Sequence, residues 1–292
     1  MPKSNWLFSF FAGVTSLGSL ALPASGQALL PYTLELDSEQ LEQQGLNLVQ
    51  DAVQLVRFQQ YELALPRAKL ATQVAPDNFQ TWFVLGSLYL QNEEADKAIE
   101  SLQIARSLSP EDESGILFTL GSAYFQKENY QAAIENIEKG LAIEPNAVEA
   151  LFDLGNSYLM LKNYSKALSS YEQAYNKEQK FWPAINNIGL VKYEQGDITG
   201  AIKQWEKALE IDSEAAEPQL AIAVAWYTHQ ADKKASGLAL GKAALNQDNR
   251  YGDLEFLKQN LWGDQLLADT ARFLSDPQVE ALVPLTPELN SR

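Results

Sequence analysis

A chain of 292 residues in which 46% of side chains are hydrophobic can build a substantial core, and its formal charge of −16, from 38 acidic and 22 basic side chains, repels phosphate backbones and argues against nucleic acid as a partner. The absence of cysteine excludes disulfides and thiolate chemistry, and a single histidine, His229, is too few for a zinc ligand cluster or a histidine-based triad. Glycine-rich phosphate-binding patterns are also missing, so neither a metal nor a cofactor is expected.

Residues 1–30 form an apolar amino-terminal segment, with no charged side chain between Lys3 and Glu35. Two readings are open. One is a secretory signal with small residues near Ala24-Ser25-Gly26 or Gly26-Gln27-Ala28 for cleavage. The other is a retained membrane anchor, although Pro23 and the Ser/Gly content make a poor spanning helix. Lys3 favours that end staying cytoplasmic, with the remainder on the far side. Residues 31–44 read as a linker and a helix start.

From there the chain repeats itself. Trp82-x2-Leu85-Gly86-x2-Tyr89 is answered by Leu117-x2-Leu120-Gly121-x2-Tyr124, by Leu151-x2-Leu154-Gly155-x2-Tyr158 and, more loosely, by Ile185-x2-Ile188-Gly189. Each copy then carries an alanine at a fixed distance, at Ala98, Ala133, Ala167 and Ala201. The period of about thirty-four residues divides the chain into units 45–78 (degenerate, with Ala52 in place of glycine), 79–113, 114–147, 148–181, 182–215 and a degenerate 216–249. Small residues at the glycine and alanine positions let two helices of a unit approach closely. Pro76, Pro110 and Pro145 mark where second helices end. Residues 250–276 look like capping helices that cover the apolar end of a stack, and 277–292 like a flexible tail.

From Gly45 to Ser213 this lettering resembles the tetratricopeptide repeat (TPR) family, which implies an all-α fold: a right-handed α-solenoid of helix–turn–helix units. The apolar amino terminus, the five or six repeats and the ending Asp253–Asp264 are similar to membrane TPR proteins of cyanobacteria and plastids, one of which interacts with light-dependent protochlorophyllide oxidoreductase. In TPR arrays the first helix of each unit lines the concave side. That resemblance places Phe83, Phe118, Phe152 and Asn186 on one inner stripe, with Ser87, Ser122 and Asn156 a turn further on. Leu90, Phe125, Leu159 and Tyr193 fall near the helix ends. A row of phenylalanines bordered by Ser and Asn suits an extended or helical protein segment with apolar anchors. The alternative is that these rings pack on one another or beneath a returning terminal segment. The cations of a carboxylate clamp are missing from these positions, which argues against a heat-shock-protein adaptor.

The expectation is a non-catalytic, membrane-associated scaffold that holds a protein in its concave groove. Its task would be to assemble, localise or stabilise that partner, for instance a chlorophyll-biosynthesis enzyme at the thylakoid membrane. The alternative is an exported periplasmic or lumenal assembly factor for envelope or photosystem subunits, its amino terminus removed.

Overall fold

The structure, a computed structural model, describes residues 37–280. The apolar segment 1–30, residues 31–36 of the linker, and residues 281–292 of the expected tail lie outside the described residues. Among the described residues no helix is long and apolar enough to cross a membrane.

Twelve helices pair in sequence order: α1 (Ser38–Arg57) with α2 (Tyr61–Val74), α3 (Phe79–Gln91) with α4 (Ala95–Leu108), α5 (Ser114–Gln126) with α6 (Tyr130–Ile143), α7 (Val148–Met160) with α8 (Tyr164–Lys177), α9 (Trp182–Glu194) with α10 (Ile198–Ile211), and α11 (Ala216–His229) with α12 (Lys234–Gln247). Each second helix also packs on the first helix of the next pair. Successive first helices approach one another as well, α1 to α3, α3 to α5 and α5 to α7, which makes theirs the inner side of an all-α solenoid.

One contact recurs in every central pair. The glycine of the first helix receives a bulky side chain sixteen positions later: Leu102 on Gly86, Ile137 on Gly121, Tyr171 on Gly155 and Trp205 on Gly189. All four knobs are buried. A Cβ on Gly155 would lie 2.5 Å from Tyr171 Cδ1, so the glycine is required there by contact. The first pair replaces this arrangement with two fully buried alanines, Ala52 and Ala68. In the last pair the small residue moves to the second helix, where a Cβ on Gly237 would meet the Ala223 carbonyl oxygen at 2.7 Å.

The turn inside each of the first five pairs also repeats. Gln59, Glu93, Glu128, Lys162 and Gly196 all have positive φ, between 55° and 81°. The residue after each donates its N–H back to a carbonyl five positions earlier, as Asn129 does to Tyr124 at 2.9 Å. This closure ends the first helix and satisfies its last carbonyls. Asn129, Asn163 and Asp197 then cap the following helices, accepting from Ala132, Lys166 and Gly200 N–H groups.

The carboxy-terminal residues depart from the expected end cap. After a short 3-10 turn (Asn249–Gly252), α13 (Leu254–Gln259) and α14 (Asp264–Leu274) fold back so that α14 packs on α9 and α11 along the inner side. The cause lies in α11, where Leu220, Ala221, Ile222, Ala223, Val224 and Ala225 are all buried. A helix apolar on every face needs cover on its inner side too. Leu257, Trp262, Leu266 and Phe273 supply it, and Val279, placed by sequence in the tail, is fully buried in the same cluster.

Two substitutions should act in opposite directions. Gly155→Ala drives a methyl into a buried ring and should destabilise by about 1–3 kcal/mol, whereas Glu128→Gly relieves a left-handed non-glycine residue and should stabilise by about 0.5–1 kcal/mol. Urea midpoints measure both, and a stabilised Gly155→Ala would refute the knob-on-glycine account.

Candidate functional site

The inner face is divided in two. Along α9 and α11 it is covered. Glu194 caps the start of α14, accepting from the N–H groups of Gln265 (3.2 Å) and Leu266 (3.0 Å). Trp262 Nε1 donates to Glu217 at 2.9 Å. Asp269, 2% exposed, accepts from Tyr193 Oη at 2.5 Å, lies 3.1 Å from His229 Nε2 and pairs with Arg272. Burial and the Asp269 carboxylate together push the Tyr193 phenol up. His229 thus serves in fixing the returning helix.

The expected groove residues therefore meet different fates. Tyr193 is buried beneath the returning segment, which the apolar α11 drew over it, whereas Asn186, 1% exposed, lies in the wall of a small cavity beside that segment. Leu159 is buried at the edge of the same segment, and Asn156 accepts from Tyr171 Oη (2.9 Å) and Asn187 Nδ2 (3.0 Å). The three phenylalanines do not form an open row. Phe83 lies against Gly115 of the next pair, Phe118 over Gly140, and Phe152 against Tyr171 and Phe181 with ring centroids 5.6 and 5.3 Å apart. Each is half-buried, because the ring bridges the space between helices. Ser87 and Ser122 turn their hydroxyls onto their own helices, donating to the Phe83 and Phe118 carbonyls.

The open wall sits two turns further along. Leu90, Ser122, Phe125 and Met160 line a cleft of about 770 Å³ across α3, α5 and α7. Its opposite wall is the returning segment, through Glu255, Lys258, Gln259 and Leu261. Leu261, with φ 67°, turns the chain there from α13 into α14. Glu93 and Glu128, the left-handed turn residues, stand at its rim, so the cleft mixes apolar walls with acidic edges. Leu90, Ser122 and Phe125, expected from the sequence along the inner helices, all stand in this wall. The second wall was not expected from the sequence; its signal was the amphipathic stretch Leu254–Trp262 that follows the continuous apolar run Leu220–Tyr227 of α11.

Asp153 sits under this face, with Ser122 Oγ 3.5 Å away. Burial pushes its carboxyl up to about 6 from 3.8, the Ser122 hydrogen bond opposes this, and Glu149 adds to it. The native state then holds this proton more tightly than the unfolded chain, so stability falls as pH rises from about 4 to about 6. Asp153→Asn should remove that slope, gaining about 1–2 kcal/mol on the parent at about pH 7 relative to about pH 4. Urea midpoints across that range decide it; a difference independent of pH would contradict the assignment.

Residues 118–183 match the model described as Tetratricopeptide repeat, and residues 189–230 the model described as TPR repeat. Residues 32–106 match that of the ChAPs (Chs5p-Arf1p-binding proteins). No curated protein matches the chain. Among solved structures, MamA is similar at 27% identity over 57% of this chain and 96% of its own, with a TM-score of 0.51. PilF of Pseudomonas aeruginosa is 14% identical over 77% of this chain and 98% of its own, with a TM-score of 0.59. YrrB, described as a TPR protein with an unusual peptide-binding site, is 17% identical over 62% of this chain and 92% of its own, with a TM-score of 0.51. Residues 118–183 and 189–230 thus match tetratricopeptide repeat models, and the paired helices as a whole build an all-α solenoid with the fold of these TPR structures.

Proposed function

We propose that this protein is a non-catalytic scaffold that captures a segment of another protein in the cleft between α3, α5, α7 and the returning carboxy-terminal residues. TPR domains generally bind protein partners in a groove, and YrrB carries a peptide-binding site of its own. The observation that carries the reading is the cleft itself. It is preformed, holds about 770 Å³, and offers the apolar side chains Leu90, Phe125, Met160 and Leu261 beside hydrogen-bonding Ser122, Gln126 and Gln259. Preformed clefts with apolar anchors and a few polar groups bind without a large ordering cost.

The sequence layout supports a finer version. The uncharged stretch between Lys3 and Glu35 would tether the repeats to a membrane, and the partner would be assembled, localised or stabilised there. On the resemblance to cyanobacterial and plastid TPR proteins, a thylakoid enzyme of chlorophyll synthesis such as protochlorophyllide oxidoreductase is the named case. The alternative, export to the periplasm or lumen as an assembly factor, has support in the small residues around Ala24 to Ala28. The mass of the mature protein separates these: loss of about the first 26–28 residues favours export, and an intact chain in the membrane fraction favours the tether.

The double substitution Leu90→Ser, Met160→Ser should reduce partner capture from native membranes by about tenfold or more while leaving the melting transition near that of the parent. Ile143→Ser, at an exposed position on the second-rank helix α6, is the control and should capture normally. Undiminished capture by the double variant would refute the cleft as the binding site.

A further inference from the structure

A second cavity, of about 300 Å³, opens beside the cleft and shares Phe125, Gln259 and Leu261 with it. It has room for several waters at about 30 Å³ each. Its inner wall is unusual for a repeat core, because Asn186, Asn187 and Glu217 all reach it and are 1%, 6% and 8% exposed. Burial pushes the Glu217 carboxyl up, and hydrogen bonds from Trp262 Nε1 and from the Asn186 side chain oppose this. No lysine or arginine lines the cavity. Asn186 donates through Nδ2 to Asn187 at 3.1 Å, and its Oδ1 has no hydrogen-bond partner among the described residues.

The Asn186 amide oxygen has no donor, and the Glu217 carboxyl beside it has hydrogen bonds but no cation to hold its charge. Each is costly until such a partner reaches it. The rings of Phe125 and Phe152, which also line the cavity, favour a cation over a neutral donor.

We propose that this cavity receives one lysine or arginine side chain of the captured segment. The cationic head meets Glu217 and Asn186 Oδ1, and the aliphatic stem lies along Phe125 and Leu261. This rests on the cleft being the binding site and sets the partner's chemistry: a basic residue close to an apolar anchor. Glu93, Glu128 and Glu255 at the cleft outnumber its one cation, Lys258, and within a chain of net charge −16 they attract such a segment at longer range. An acidic side chain at the same place would face Glu217 and be rejected.

Selection of random short peptides displayed on phage against the full chain tests the idea. The selected peptides should share a Lys or Arg near Leu, Met or Phe. Replacing that basic residue by norleucine, or using the variant Glu217→Gln, should each weaken binding by about tenfold or more, and the two losses should not add. Glu217→Gln keeps an acceptor for Trp262 and nearly the same shape, so the fold should persist, as an unchanged circular dichroism melt would show. Peptides that depend on Leu90 and Met160 but carry no shared basic residue and ignore Glu217→Gln would overturn the cation pocket and leave the cleft reading standing. Peptides that bind the Leu90→Ser, Met160→Ser variant as well as the parent, or the failure of any peptide to be enriched, would overturn both.

Discussion

The seating of a large side chain on a glycine sixteen residues earlier fixes how closely each helix pair closes, and the rest of the solenoid follows from it. Leu102, Ile137, Tyr171 and Trp205 occupy that place in turn, so the knob changes from aliphatic to aromatic along the chain. Aromatic knobs bring polar tips. Tyr171 Oη must be matched and meets Asn156, and Trp205 Nε1 donates to the Asn186 carbonyl at 3.1 Å. Buried polar atoms need such partners. The inner face therefore becomes polar where the knobs become aromatic, and Asn156, Asn186 and Asn187 gather there for a packing reason before any ligand is considered.

The same gradient explains why the inner face splits. Around α3 and α5 the pairs close with aliphatic knobs, and the first helices leave a surface that is apolar and open at Leu90 and Phe125. Around α9 and α11 the face is either polar and buried or wholly apolar, and the chain covers it with its own carboxy-terminal helices through Glu194, Trp262 and Asp269. The boundary between the two halves is a corner. One wall belongs to the repeats and the other to the returning segment, which gives the cleft depth that a smooth solenoid lacks.

Much of this was legible in the sequence. The glycine and alanine spacing set the helix pairs, because close approach tolerates only small residues and that requirement leaves a fixed period. The proline positions marked helix ends for an equally local reason. The groove was less legible. Phe83, Phe118 and Phe152 share a stripe, but a ring on an inner helix can reach sideways to a neighbour as easily as outward, and spacing does not tell which. Phe152 went to Phe181, and Phe118 to Gly140. The return of α13 and α14 was hidden because it depends on contacts between residues far apart in the chain, such as Trp262 with Glu217. The one local hint was the continuous apolar run Leu220–Tyr227 in α11, which no single neighbouring helix could cover.

Hydrogen–deuterium exchange on the full chain, alone and with a captured partner, addresses the division of the inner face most directly. Protection should appear in the last turns of α3, α5 and α7 and across residues 254–261, while α9 and α11, already shielded by α14, stay unchanged. Protection confined to the second-rank helices α4, α6 and α8, or release of α14 from α9 and α11 on binding, would contradict it.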